Sequence, residues 1–224
     1  MLADDPATEA VVFGDQGLLA GLKPGAIHLA MSTISEALSQ RLTEAHQEAG
    51  QHFVAAPVLG RPDAAAAAKL AIAVAGAPAA VATVVPVLEK LGQRVTVVGE
   101  LPKQAHLLKL IANFMISAVL ESLGEATALA SKGGVAPETM LDFLTNSIFA
   151  APVYKNYGAL IAKQSFTPVS FALPLGQKDN RLVLQSAETH QVPMPLASLV
   201  RDRFLAARAK GYDGLDWSSI GRLA

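Results

Sequence analysis

Lys109 and Asn113 stand four residues apart in the run Lys109-Leu110-Ile111-Ala112-Asn113. In a helix that spacing puts both on one face. An ammonium and an amide then address one point. There they can bind an anion, or hold a hydroxyl and the oxyanion that develops from it. A lysine whose pKa is tuned by burial also moves protons. The alternative is a solvated lysine beside a surface asparagine. Leu107, Leu108, Leu110 and Ile111 weigh against it, because they surround Lys109 with apolar side chains and imply a helix buried on most sides.

Three other runs carry candidate chemistry. Ser32-Thr33-Ile34-Ser35 directly follows a strand-like run. Ligands of open α/β sheets bind beyond the carboxyl ends of strands, where small hydroxyls can reach them. The same residues can instead simply cap a helix. In Ala56-Pro57-Val58-Leu59-Gly60-Arg61-Pro62, Gly60 permits close backbone approach and Arg61 can pair with an anion. An ordinary turn is the alternative. Lys178, near the start of a late helix, can reach a cofactor or a carboxylate, or can sit on the surface. Asp4-Asp5 reads as a helix cap or exposed turn. His28, His46, His52, His106 and His190 have no partners at metal-ligand spacing, so no metal site is expected. His106 precedes Lys109 by three and lies near the same face, with packing as its expected role. No nucleophile elbow, P-loop or paired glycosidase carboxylates occur.

The elements that must position these residues differ between the two halves. Up to about Gly99, strand-like and helix-like runs alternate. The strands are 26–30, 52–56, 70–75 and 94–98. The helices are 34–49, capped by Ser35, and 77–91, interrupted by Pro86. Ala64–Ala68 is a short helix or turn. This alternation predicts an α/β domain with a largely parallel sheet. Beyond Gly99 the strand signals stop. Residues 103–132 form one helix of about 45 Å at 1.5 Å per residue, stopped by Gly133-Gly134. Further helices are expected at 137–145, 152–163, 176–189 and 195–210. The fold class is thus α/β followed by all-α, joined through the long helix, with a division at 1–101 and 102–224.

The chain has 224 residues, 51% hydrophobic and 17% charged, with net charge -1. That is a globular balance with no block of like charge, so nucleic acid and anionic membrane are not expected partners. There are no cysteines, which excludes disulfides, thiolate catalysis and cysteine-ligated metals. A reducing cytoplasm fits. The acidic start is no secretory signal, and the apolar runs are broken before spanning length, so no transmembrane helix is expected.

The order Met1-Leu2-Ala3-Asp4-Asp5, Met31-Ser32-Thr33-Ile34-Ser35, Ala56-Pro57-Val58-Leu59-Gly60, Lys109 with Asn113, then Lys178-Asp179 resembles the β-hydroxyacid dehydrogenase family. That family includes 3-hydroxyisobutyrate dehydrogenases and is related to 6-phosphogluconate dehydrogenases. The resemblance covers nearly the whole chain. It implies a Rossmann domain followed by a helical domain, with the active site between them and Lys109 and Asn113 directed into it. It implies an NAD(P)-dependent oxidoreductase acting by hydride transfer on a small hydroxy or carbonyl compound. Lys109 matches the general acid/base, and Asn113 matches a residue that holds the substrate. Ser32 and Thr33 match a loop near nicotinamide and substrate. Met1 and Leu2 match a strand-end loop that touches the cofactor. Lys178 matches a lysine that closes over cofactor or substrate. The expected cofactor is NADP or NAD, with NADP ahead.

Two departures stand out. Where the family has a serine and two glycines for the substrate carboxylate, this chain has Leu59, Gly60 and Arg61. A hydroxyl is lost and a guanidinium gained, which questions a simple 3-hydroxy acid as substrate. The family's first strand and Gly-x-Gly-x-x-Gly turn are also missing; Gly14 and Gly17 are the nearest pair, in the wrong context. The resemblance therefore implies an N-terminal truncation of about 60 residues, roughly two βα units. Such a chain is expected to bind dinucleotide weakly and to leave the strand at 26–30, or its neighbour, as a sheet edge. The alternative function is a catalytically silent scaffold that dimerises or binds a small metabolite. A homodimer is expected through Leu120, Leu123, Phe143, Leu144, Phe149 and Leu160, a larger apolar set than a small helical domain can bury.

Overall fold

Short apolar runs bounded by glycine and proline become the strands of the first half. In the computed structural model, which describes residues 1–224, these are β1 (Ile27–Ala30), β2 (His52–Ala55), β3 (Val58–Leu59), β4 (Leu70–Ala75) and β5 (Gly92–Gly99). β1 pairs in parallel with β2, and β4 with β5. β3 returns antiparallel along β4 after the turn at Pro57, and β2 meets β4 antiparallel through Ala55 and Ala75. Most of the ladder is thus parallel. The antiparallel part arises where the chain reverses after β2, and α4 connects β3 to β4. β1 forms one edge of the sheet.

Helices α1 (Asp5–Phe13), α2 (Leu18–Gly21), α3 (Glu36–Glu48), α4 (Pro62–Ala66) and α5 (Pro78–Leu88) complete this part. α3 forms because Ser35 accepts the Leu38 N–H at its start and Leu38, Leu42 and His46 share its inner face. With Val12, Ile34 and Phe53 it makes one core layer. Val81, Val84 and Leu88 of α5 pack on Val54, Ile72 and Val74 in another. α1 was not expected. Asp4 accepts the Ala7 N–H at 2.9 Å and starts it.

The second half is helical: α6 (Pro102–Lys132), α7 (Pro137–Thr145), α8 (Pro152–Ala162), α9 (Leu173–Thr189) and α10 (Pro195–Ala209), then two 3-10 turns, Tyr212–Gly214 and Trp217–Arg222. Proline in the first turn fixes the starts of α7 to α10, where its missing N–H costs nothing. Gly134, at φ 82°, follows the end of α6 in a left-handed conformation. The core gathers Leu120, Leu123, Tyr157, Ile161, Phe204 and Trp217. The chain separates into two compact units, 1–111 and 112–224, which meet inside α6.

Two expectations are corrected. Leu120 and Leu123 are not surface residues; they are 0% and 4% exposed in the core of the second unit. α6 is, by length and composition, apolar enough to cross a membrane, contrary to the sequence reading. It also buries His106, Asn113, Ser117, Glu121 and Thr127, and Glu121 pairs with Arg203 at 2.5 Å. Such groups are expensive in lipid and ordinary in a packed core helix.

Candidate active site

Lys109 and Asn113 lie one turn apart on α6. Lys109 is partly buried and Asn113 is 4% exposed. The apolar shield expected around Lys109 is one-sided: Leu110 is fully buried, whereas Leu108 and Ile111 are 41% and 39% exposed. Neighbours on a helix are turned by about 100°, so one buried side chain leaves the next outside.

Asn113 is anchored. Its Nδ2 donates to Asp179 Oδ2 at 2.5 Å, and Asp179 Oδ1 pairs with Lys178 Nζ at 2.9 Å. The side chains of Lys178 and Asp179 are 11% and 2% exposed. Lys178 is therefore no surface lysine at a helix start. α9 begins at Leu173, three residues earlier than expected, and its inner face carries Gly176, Asp179, Asn180 and Val183. A carboxylate only accepts, so Asp179 fixes which way the Asn113 amide points. Sequence reading gave Asp179 no role of its own. Its signals were its place beside Lys178 in the family pattern and on the inward face of an amphipathic helix.

A second cluster lies in the first unit. Ser32 Oγ accepts the Leu2 N–H at 2.6 Å, and Asp5 Oδ1 accepts the Ser35 N–H at 3.0 Å. These bonds stitch the Met1–Asp5 segment to the Ser32–Ser35 loop. The Ser32 hydroxyl, 6% exposed, thus has a structural task, although its own proton can still be donated. Thr33 beside it is partly buried, and Met1 and Leu2 are 79% and 36% exposed. Asp4 caps α1, as the sequence suggested, and Asp5 ties that helix start to the Ser35 loop.

Gly60 is held by its backbone and by a close neighbour. Its φ is 148°, and a Cβ there would stand 2.6 Å from Leu70 Cδ2. The close approach it permits is to Leu70, within the fold. Arg61 follows at the N-cap position of α4, partly buried. Gly14 and Gly17 serve helix ends: a Cβ on either would meet the carbonyl oxygen of Ala10 or Val12 at 2.6 or 2.4 Å. They form no pyrophosphate cradle. No group of three or more His, Cys, Asp or Glu is placed to hold a metal.

Two buried histidines, His46 and His106, and the half-buried His28 surround Phe53. His28 Nδ1 lies 2.9 Å from His46 Nε2, and His46 Nδ1 lies 2.6 Å from Gln51 Oε1. Desolvation, helped by the neighbouring His46, lowers the His28 pKa to about 4. Burial lowers His46, against the Gln51 hydrogen bond. Burial takes His106 down to about 3, against the backbone of Ser32 beside it.

Comparison with known proteins matches both halves. Residues 1–99 match the model of the NAD-binding domain of 6-phosphogluconate dehydrogenase. Residues 104–224 match the model for NAD-binding of NADP-dependent 3-hydroxyisobutyrate dehydrogenase. The uncharacterized oxidoreductase YfjR of Bacillus subtilis is 43% identical over 98% of this chain and 77% of the relative. Glyoxylate/succinic semialdehyde reductase 1 of Arabidopsis thaliana is 33% identical over 98% of this chain and 75% of its own length. The solved structure of a 3-hydroxyisobutyrate dehydrogenase from Salmonella typhimurium superposes with a TM-score of 0.90 at 26% identity, covering 100% of this chain and 77% of that one.

Proposed function

Because this chain belongs to the β-hydroxyacid dehydrogenase family of NAD(P)-dependent oxidoreductases, we propose that Lys109 is its general acid/base and that Asn113 holds the reacting oxygen. The family reaction is hydride transfer on a small hydroxy or carbonyl compound. This favours the enzymatic reading over a silent scaffold. The observation that carries the site assignment is the buried Asp179, which orients Asn113 one turn from Lys109.

When bound, the dinucleotide supplies or accepts the hydride. In reduction the Lys109 ammonium gives its proton to the carbonyl oxygen; in oxidation the neutral amine takes it from the hydroxyl. Asn113 hydrogen-bonds that oxygen and keeps it within reach of Nζ. Thr33 and the Met1–Leu2 segment hold the nicotinamide end, and Lys178 lies over cofactor or substrate. The donor set suits that end: a hydroxyl, backbone amides and an ammonium can meet a carboxamide and phosphate oxygens. Residues 1–224 contain no Gly-x-Gly-x-x-Gly turn for the pyrophosphate. NADP is the preferred cofactor. Ser32 supports the substrate side through its loop, with Gly60 shaping the turn that presents Arg61 to a substrate carboxylate.

The reading places the enzyme in the cytoplasm as a homodimer. Large apolar residues of the second unit stay exposed: Met115 at 62%, Phe143 at 74%, Leu129 at 76% and Ile148 at 91%. Leu144, Phe149 and Leu160 are only partly exposed and contribute less.

The Arabidopsis relative's name supplies the first substrates to try, glyoxylate and succinic semialdehyde, each a carbonyl with a carboxylate. With NADPH and NADH as donors, Lys109→Ala should lower kcat by about 10²–10⁴-fold, the range of an acid/base group. Turnover equal to that of the parent protein overturns the assignment.

A further inference from the structure

His106 is fully buried on α6, one turn before Lys109. Its Nδ1 lies 2.9 Å from Ser39 Oγ, and Ser39 is itself fully buried on α3. The backbone of Ser32 lies against the same ring. Its ring packs along Phe53 with centroids 6.4 Å apart and an interplanar angle of 26°. Three segments therefore meet at this imidazole: the turn of α6 that carries Lys109, the first half of α3, and the Ser32 loop that holds Leu2.

An apolar side chain of similar volume would fill the site at lower desolvation cost. The imidazole adds direction. A hydrogen bond to Ser39 fixes the rotation of α6 about its axis, whereas hydrocarbon packing tolerates small slips. Each residue of slip turns the helix face by about 100° and moves it 1.5 Å. A misplacement of about 1 Å at a reacting group already costs on the order of 10²-fold in rate.

We infer that His106 is a positioning residue, which fixes the Lys109 turn of α6 against α3 and the Ser32 loop. This rests on Lys109 being the acid/base of the proposed reaction. The ring stays neutral until about pH 3, so the link persists throughout the working range and contributes no charge of its own.

The test compares His106→Leu, which keeps the packing, with His106→Asn, whose amide nitrogen or oxygen can replace Nδ1 against Ser39. Two quantities are measured on each folded variant. One is the labelling rate of each lysine by trinitrobenzenesulfonate, resolved by peptide mass spectrometry. The other is kcat and KM for succinic semialdehyde with NADPH. His106→Leu should change the Lys109 labelling rate on the order of threefold and leave Lys103 and Lys132 unchanged. It should lower kcat by about tenfold with little effect on KM. His106→Asn should restore both. If His106→Leu does not fold, Ser39→Ala removes the partner instead and should give the same selective change at Lys109. Unaltered Lys109 labelling in a folded His106→Leu or Ser39→Ala protein overturns the inference, as does equal damage in His106→Asn. Failure of the acid/base reading gives a different pattern: Lys109→Ala retains turnover while the labelling change persists.

Discussion

A nearly unexposed carboxylate between an amide and an ammonium has one arrangement that satisfies all three groups. Asp179 accepts from Asn113 and faces Lys178, so both donors are oriented by one residue. Asp179→Asn should disturb them together. The amide of Asn113 loses its fixed direction, and Lys178 keeps its charge beside a neutral partner. A buried hydrogen bond to a charged group is worth about 1.5–3 kcal/mol, so kcat/KM should fall by about 10–100-fold, with KM for the carbonyl substrate rising. Steady-state kinetics on the folded variant checks this; unchanged KM and kcat would remove Asp179 from the site. Lys109 and Asn113 were legible in the sequence because their relation is local, set by helical spacing alone. Asp179 was not, because it meets Asn113 across 66 positions. The contact between Gly60 and Leu70 was hidden for the same reason, since Leu70 approaches it only in the folded chain.

At the scale of elements, the relay under β1 fixes proton positions without any hydrogen being seen. Gln51 Nε2 donates to the carbonyls of Leu19 and Leu22 at 3.0 and 2.9 Å, so its Oε1 faces His46 as an acceptor. His46 Nδ1 then carries a proton, its Nε2 accepts, and His28 Nδ1 must donate. The relay ties α2 and the strand after it to α3 and the start of β2. Protonating His46 would set two N–H groups against each other. The folded pKa of His28 is about 4, below the unfolded value of 6.5, so the unfolded chain takes up protons first. For His28, stability is full above about pH 6.5 and declines as pH falls from there towards 4, by about 1.4 kcal/mol per pH unit. His28→Asn retains a donor to His46 and removes one titration. Urea unfolding between pH 4.5 and 7.5 should give a shallower decline for that variant, and parallel curves for the two proteins would count against the relay. β4 and α7 coincided with their expected spans because turn residues punctuate them. α1 was overlooked: its nine residues lack a clear apolar stripe, and the cap at Asp4 was its one strong signal.

For the whole molecule, the change from alternating strands and helices to helices alone was plain from periodicity. What periodicity did not resolve was which apolar side chains each unit keeps for itself. Leu120 and Leu123 fall on the inner face of α6, while Leu108, Ile111, Met115 and Leu129 stay outside. Leu108, Ile111 and Met115 step by three and four, and Leu129 lies two heptads beyond Met115, the pattern of a seam, a helix face that packs on another helix. Gly124 also escaped notice as a packing residue: a Cβ there would stand 2.6 Å from the Cα of Gly221, so α6 and the last 3-10 turn touch backbone to backbone. That contact commits the inner face of α6 to its own unit, and the outer face is where the proposed homodimer would form. Polar replacement on the seam should therefore cost association without costing the fold. Met115→Glu combined with Leu129→Glu places four carboxylates in a symmetric interface, each removed from water without a partner. At micromolar concentration, light scattering should give twice the chain mass for the parent protein and the single-chain mass for the double variant. Far-UV circular dichroism should be unchanged, because neither residue belongs to the buried core. A parent protein that scatters as a monomer, or a double variant that still scatters as a dimer, would show that α6 is not the seam.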